Sequence, residues 1–168
     1  MSNAQFRIVA YGDEYAPAFA RLNYEWLAGY GLLEPADAKH LDDPRGAIVD
    51  TGGEILFALE GDVVVGTCAI IRLDAATFEL AKLAVVERVR GKGVGRRLTV
   101  AAIEIARSRG AARVVLVSNR RLVVALRLYE TLGFEYAPLP PDPGYTTADV
   151  YMKLDLLGGG RSGCGDVK

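Results

Sequence analysis

Hydrophobic and polar residues recur along the chain with periods that predict seven strands and four helices. The predicted strands are Phe6–Ala10, Ile55–Glu60, Val63–Arg72, Phe78–Val86, Ala112–Ser118, Phe134–Ala137 and Ala148–Asp155. The predicted helices run from Asp13 to about Ala28, from Pro35 to just before Pro44, from Val94 to Gly110, and over Leu122–Leu132. The order β-α-α-β-β-β-α-β-α-β-β predicts a mixed α/β fold.

Short polar residues and glycines mark the ends of these elements. Asp13 stands where it could cap the N-terminus of the first helix, and Gly110 and Gly133 follow the last two helices at the C-cap position. Gly61-Asp62 predicts a tight hairpin between two strands. The third helix has an apolar face made of Val94, Leu98, Ala101, Ala102 and Ile105.

Composition predicts a single globular domain. The chain has 168 residues, of which 51% are hydrophobic. We expect a folded domain over residues 1–157 and a disordered tail over residues 158–168, where no apolar pattern remains. A net charge of −1 gives no indication of a nucleic-acid or anionic-membrane partner.

The chain shows neither a long apolar run nor a secretory signal pattern, and two cysteines do not make a disulfide framework. These observations predict a cytoplasmic protein with no membrane partner. The single histidine argues against most histidine-based metal sites, and no metal is expected.

A basic, glycine-rich loop joins the fourth predicted strand to the third helix. It holds three alternating glycines, Gly91, Gly93 and Gly95, among the cations Arg88, Arg90, Lys92, Arg96 and Arg97. A helix N-terminus disfavours nearby cations, so a bound anion would account for their placement. Glycines let a phosphate approach the main-chain N–H groups, and the loop therefore predicts a phosphate-bearing ligand.

Two common phosphate motifs do not fit this loop. A P-loop needs Ser or Thr after Gly-Lys, whereas Gly93 follows Lys92. A dinucleotide fingerprint needs an acid at the end of the next strand, which here ends in Ser118 and Asn119.

Two segments instead resemble the GCN5-related N-acetyltransferase (GNAT) family. Arg90-Gly91-Lys92-Gly93-Val94-Gly95 fits the R/Q-x-x-G-x-G/A loop of that family, and the segment from Ala125 to Phe134 fits its A-x-x-x-Y-x-x-x-G-F pattern. The resemblance extends through most of residues 5–156. It implies the single-domain acetyltransferase fold, a mostly antiparallel twisted sheet flanked by helices, with acetyl-CoA (coenzyme A) as cofactor.

The resemblance also assigns cofactor contacts. The pyrophosphate would lie on the loop, and the pantetheine arm would pair with the main chain of the preceding strand. The implied cofactor-binding residues are Leu83, Ala84, Val85, Arg90, Gly91, Lys92, Gly93, Val94, Gly95, Arg96 and Asn119. An alternative for Asn119 is that it caps the helix that starts at Leu122.

Two residues are candidates for catalysis. By resemblance Tyr129 protonates the leaving sulfur; the alternative is that it only fills the core. Glu79 is a candidate base, since burial on the strand face it would share with Ala81, Leu83 and Val85 would raise its pKa. The alternative is that the amine loses its proton to solvent.

The acceptor would lie against the N-terminal helices. Trp26, Tyr30 and Glu34 are the candidate substrate-binding residues, with Asp37 and Tyr145 as further walls, and acidic groups there would suit a cationic amine. We therefore expect an acetyl-CoA-dependent N-acetyltransferase that acts on a primary amine of a small molecule or peptide by direct attack. The alternatives are a non-catalytic acyl-CoA sensor and a subunit of a larger assembly, and a homodimer is a further expectation by resemblance.

Overall fold

The computed structural model describes residues 5–157, so the tail expected over residues 158–168 lies outside the described residues. The mixed α/β prediction is confirmed, in the predicted order of elements. The strands are β1 (Phe6–Ala10), β2 (Glu54–Glu60), β3 (Val63–Arg72), β4 (Thr77–Val85), β5 (Arg113–Ser118), β6 (Glu135–Ala137) and β7 (Val150–Asp155). The helices are α1 (Ala16–Gly29), α2 (Ala38–Asp42), α3 (Val94–Ser108) and α4 (Val123–Thr131), with short 3₁₀ turns and one π-helical turn, Arg45–Val49, between them.

The strands form one sheet in the order β1-β2-β3-β4-β5-β7-β6, and only β4 and β5 run parallel. One core lies between the sheet and α3, and a second between the opposite face and α1 with α2. Between residues 5 and 157 no helix is long and apolar enough to cross a membrane.

The parallel pair is short. β4 and β5 are paired only from Thr77 to Glu79 on the β4 side, although both strands continue well beyond that point. Their carboxyl ends therefore separate, and a gap opens in the middle of the sheet.

A β-bulge interrupts β4 just after this point. The register with β3 shifts, so that Lys82 and Leu83 lie opposite Cys68 alone. Lys82 has a φ of 57°, in the left-handed region that residues with a Cβ rarely adopt. Such a conformation costs about 1–2 kcal/mol, which the surrounding contacts must offset.

The bulge reverses which face the later β4 side chains occupy. Ala81 packs in the core beneath α1, whereas Leu83 and Val85 pack in the core beneath α3. Glu79 lies opposite Ile71, which belongs to the α1 side. The prediction that Glu79 shares a face with Leu83 and Val85 is therefore wrong, because an extra residue in the strand changes the alternation.

The predicted helix ends are confirmed at the C-termini and wrong at Asp13. Gly110 and Gly133 have φ values of 88° and 99°, as a left-handed C-cap requires. Asp13 lies inside a 3₁₀ turn that precedes α1, and its carboxylate accepts hydrogen bonds from Arg45 Nε at 2.8 Å and from the Tyr11 hydroxyl at 3.0 Å. It therefore caps no helix.

The buried face of α3 is rotated slightly from the predicted one. Its fully buried residues are Val94, Leu98, Thr99, Ala102, Ile103 and Ala106. Ala101 and Ile105 are only half-buried, since they lie at the edge of this face.

Gly53 precedes β2 at a point where the chain is packed against its neighbours. A Cβ there would lie 2.5 Å from the main-chain oxygen of Ile70 and 2.9 Å from that of Ile48. We expect Gly53→Ala to lower the free energy of unfolding by about 1–3 kcal/mol, because the backbone must shift to admit the methyl group. Gly29→Ala is the control, since nothing lies within 4 Å of a Cβ there and the change should be neutral or stabilising. Urea unfolding measures both, and equal midpoints for the two variants would contradict the packing argument.

Candidate active site

The gap between β4 and β5 opens into a cleft of about 490 Å³. Its walls are α1, the carboxyl ends of β4 and β5, the glycine-rich loop, the start of α4 and the segment around Tyr145. The candidate residues that line it are Trp26, Tyr30, Glu79, Leu83, Val85, Arg90, Gly91, Gly93, Val94, Gly95, Arg96, Asn119 and Tyr129. Three candidates, Glu34, Ala84 and Lys92, lie outside the lining.

The glycine-rich loop presents main-chain donors to one end of this cleft. Gly91 and Gly93 have φ values of 81° and 84°, and a Cβ at either position would meet nothing within 4 Å. Gly93 is the N-cap of α3 and no side chain caps the helix. Within residues 5–157, no protein group accepts from the N–H groups of Gly91, Gly93, Val94, Gly95 or Arg96. Open space in front of unpaired donors makes this loop suited to bind an anion.

The arginines of the loop are positioned by neutral acceptors. Arg90 Nε donates to the main-chain oxygen of Val85 at 3.0 Å, and Arg96 Nη1 donates to Thr131 Oγ1 at 3.1 Å. Neither contact removes the positive charge, whereas Arg88 forms an ion pair with a glutamate of β2. The loop therefore keeps a net positive field beside the unpaired N–H groups.

Tyr129 lies on α4, is 8% exposed, and packs its ring against Phe134 with centroids 5.8 Å apart. The ring belongs to the core beneath α3 and also lines the cleft, and its role as the acid stays a prediction. Its hydroxyl makes no hydrogen bond within the described residues. Burial, with a smaller effect of Cys68, raises the pKa of Tyr129, so the phenol stays protonated at neutral pH.

Glu79 lies on β4 where the pairing with β5 ends. Burial raises the pKa of its carboxyl, and the positive charge of Lys82 partly offsets this effect. Its side chain makes no hydrogen bond among the described residues, so both carboxyl oxygens remain available in the cleft. A carboxyl with a raised pKa is a stronger base than an ordinary glutamate.

Sequence reasoning missed Lys82. Its ammonium forms an ion pair with Asp37 and donates to the Tyr145 hydroxyl at 3.1 Å, and the side chains of Lys82 and Asp37 are only 6% and 2% exposed. All three residues line the cleft. The signal in the sequence was a lysine between Ala81 and Leu83 in the second, apolar half of the strand, a position that an unpaired charge rarely occupies.

Glu34 is bound to the chain that follows the proline-rich segment. Its two carboxyl oxygens accept hydrogen bonds from the N–H and hydroxyl groups of Thr146 and Thr147. Desolvation alone would raise the pKa of Glu34, but the hydrogen bonds from Thr147 and Thr146 together lower it to about 2. The carboxylate is thus occupied by the protein itself, which argues against the predicted contact with a substrate.

Asn119 lies directly after β5, in the turn that leads to α4. Asn119 Nδ2 donates to the main-chain oxygen of Thr147 at 2.7 Å, and its Oδ1 accepts from the N–H of Arg121 at 2.9 Å. It therefore forms a turn before α4 and does not cap the helix, which has no side-chain cap.

Trp26 and Tyr30 pack together with ring centroids 4.8 Å apart on the cleft wall.

Comparison with known proteins agrees with this geometry. Residues 11–134 match the model of the Acetyltransferase (GNAT) family. The chain is 32% identical over 148 residues to the uncharacterized N-acetyltransferase YjgM of Escherichia coli (strain K12), covering 83% of this chain and 89% of that protein.

Two solved structures share the fold. A GNAT-family acetyltransferase from Staphylococcus aureus Mu50 has a TM-score of 0.82 at 19% identity, covering 90% of this chain and 99% of that one. The structure of yncA from Salmonella typhimurium with its cofactor acetyl-CoA has a TM-score of 0.75 at 21% identity, covering 96% of this chain and 100% of that one.

Glu34 provides a test of the hydrogen bonds that close the cleft wall. Glu34→Gln keeps one acceptor oxygen and turns an NH₂ group toward the donors of one threonine, so we expect the protein to lose about 1 kcal/mol of stability near pH 7. Because the folded pKa is lowered from 4.5 to about 2, the wild-type advantage is present above pH 4.5 and lost as pH falls toward 2.

Thermal unfolding of wild type and variant between pH 7 and pH 3 measures this difference. Glu25→Gln, on the exposed side of α1, is the control and should leave the melting temperature unchanged. A Glu34→Gln effect that stayed constant across this range would show that the carboxylate charge contributes nothing.

Proposed function

The chain belongs to the acetyltransferase (GNAT) family, and from this premise we propose that it is an N-acetyltransferase acting on a primary amine of a small molecule or peptide. Members of the family use acetyl-CoA, which supplies an acetyl group activated as a thioester. The observation that carries the proposal is a set of N–H groups with no acceptor within residues 5–157, open to the cleft that also holds Tyr129 and Glu79; they belong to Gly91, Gly93, Val94, Gly95 and Arg96.

The residues of the loop fit the pyrophosphate of acetyl-CoA. Gly91, Gly93 and the first turn of α3 would bind the phosphate oxygens, with Arg96 adding positive charge. Arg90 fixes the loop against the end of β4 through the main-chain oxygen of Val85. Because β5 leaves β4 after Glu79, no described strand lies beside Leu83–Val85 on the side away from β3, and an extended arm can pair with β4 there.

Tyr129 and Glu79 supply the proton transfers. As the amine nitrogen attacks the acetyl carbon, Glu79 takes the proton that the nitrogen loses, assisted by its raised pKa. The bond from carbon to sulfur breaks, and the Tyr129 phenol gives its proton to the sulfur. An amide and a free thiol result, and no covalent bond to the protein is needed.

A thiol-release assay tests the proposal. We expect the protein with acetyl-CoA to release free thiol in the presence of at least one amine from a panel of polyamines, amino acids, aminoglycosides and peptide N-termini. Binding of coenzyme A without thiol release in any of these mixtures would instead favour a non-catalytic acyl-CoA sensor.

Tyr129→Phe separates catalysis from binding. The change removes one hydroxyl that is unbonded within the described residues, so we expect kcat to fall by roughly 10²–10⁴-fold while the Kd for coenzyme A stays the same. Tyr136→Phe is the control, because Tyr136 is 54% exposed on β6 and its hydroxyl donates to Glu130 on the protein surface. Steady-state kinetics and calorimetry measure the two effects, and an unchanged kcat would remove the acid role of Tyr129.

Gly93→Asp tests the anion site. A carboxylate at this position would occupy the space in front of the N–H donors and repel phosphate, so we expect coenzyme A binding to be lost. Gly110→Asp is the matched control: its φ of 88° is close to the 84° of Gly93, and a Cβ there also meets nothing within 4 Å. The backbone strain that an Asp introduces at Gly110, at the other end of α3, is therefore similar to the strain that it introduces at Gly93. Equal affinity for coenzyme A in the two variants would refute the loop assignment.

A further inference from the structure

The Lys82 ammonium is buried at the end of the cleft that α1 and the Tyr145 segment enclose. An ammonium has three N–H donors. One is bound to Asp37 and one to the Tyr145 hydroxyl, and the third has no acceptor within residues 5–157. A buried charged donor without an acceptor is costly, so this group is prepared to bind an oxygen that enters the cleft.

Both carboxylate oxygens of Asp37 already accept a hydrogen bond from the protein. Its Oδ1 is bound to Lys82, and its Oδ2 accepts the main-chain N–H of Glu34 at 2.8 Å. Glu34, the second acidic group expected to attract a cationic amine, is bound to threonines and lies outside the cleft lining. The protein therefore already supplies a counter-charge to Asp37 and fills the acceptor sites of Glu34, so neither is an unpaired carboxylate that would attract a positively charged acceptor.

The remaining charges at this end of the cleft are balanced. Lys82 and Arg121 are positive, and Arg121 is held there by a hydrogen bond from Nη1 to the main-chain oxygen of Tyr30 at 3.2 Å. Asp37 and Glu79 carry the acidic groups. Burial lowers the pKa of the neighbouring His40 to about 4, so it adds no charge at neutral pH. A balanced site of this kind is complementary to a ligand that carries both charges and disfavours a polyamine.

We propose that Lys82 determines acceptor specificity by binding a carboxylate on the acceptor, so that the acceptor is an amino acid. The carboxylate accepts from the third donor of Lys82, and the amine lies toward Glu79, on the same face of β4 before the bulge. The inference rests on the proposed function, since it takes this end of the cleft as the place where the amine binds.

Calorimetry on the protein loaded with coenzyme A tests the inference without requiring turnover. The twenty common amino acids are titrated singly, and the tightest binder is then compared with its primary amide and with its decarboxylated amine. We expect the amino acid to bind about tenfold tighter than either analogue, because only the amino acid offers a carboxylate to Lys82.

Variants of the ion pair should shift this preference in opposite directions. Lys82→Met should abolish the difference between the amino acid and its amide. Asp37→Asn should keep or widen it, since the amide oxygen can still accept from Glu34 while Lys82 loses its counter-charge. Lys153→Met, an exposed lysine on β7, is the control and should change nothing.

The double variant Asp37→Asn/Lys82→Met removes both buried charges, and so tests the inference if Lys82→Met alone leaves Asp37 unpaired and fails to fold. It too should bind the amino acid and the amide equally. A purely structural role of the ion pair predicts instead that both single variants weaken all ligands alike, and this result would overturn the inference.

Binding of no amino acid, or equal binding of the amino acid and its amide to the wild-type protein, would also overturn it. Thiol release is measured in parallel, with acetyl-CoA in place of coenzyme A and with the same proteins and ligands. Thiol release with polyamines, without tighter binding of the amino acid than of its amide, would refute the inference and still support the proposed function. Tight, Lys82-dependent binding of an amino acid without thiol release would support the inference and remove the proposed catalysis.

Discussion

The early separation of β4 from β5 is the constraint on which the rest of the structure depends. A parallel pair that continued to the ends of both strands would fill the space that the cleft occupies. The separation leaves main-chain groups of two buried strands without partners on one side, which is costly unless they are satisfied elsewhere. Each strand keeps an antiparallel partner on its other side, β4 with β3 except at the bulge and β5 with β7, so the sheet remains continuous around the opening.

A chain of polar contacts crosses the wall of the cleft at the α1 end. Lys82 is bound to Asp37, Asp37 to the N–H of Glu34, Glu34 to Thr147, and the main-chain oxygen of Thr147 to Asn119. This chain of contacts joins β4, the turn before α2, the segment before β7 and the end of β5. Each residue in this chain of contacts donates a hydrogen bond to the next one or accepts a hydrogen bond from it. A partly buried polar network is stable when its donors and acceptors are paired in this way.

The parts of the fold that local sequence determines could be predicted. Apolar periodicity located all eleven elements, and glycine positions located the ends of α3 and α4 and the candidate anion-binding loop, because each of these signals lies within a few neighbouring residues. The role of Glu34 depends on threonines more than a hundred positions away, and the pairing of Lys82 with Asp37 spans 45 positions. The sequence placed Glu34 and Asp37 in the candidate acceptor region. It did not indicate that both carboxylates are bound by groups of the protein itself.

The bulge at Lys82 connects backbone shape to the chemistry of the cleft. A glycine would adopt a φ of 57° more easily, so the lysine side chain must provide an interaction that a glycine would not. The extra residue turns Leu83 and Val85 toward the core beneath α3, while the Lys82 ammonium reaches Asp37 and Tyr145 on the acceptor side. A regular strand would keep Leu83 and Val85 on the face of Glu79. One inserted residue therefore leaves the carboxyl of Glu79 and the ammonium of Lys82 in the same cleft, which supplies the two charges that a zwitterionic acceptor requires.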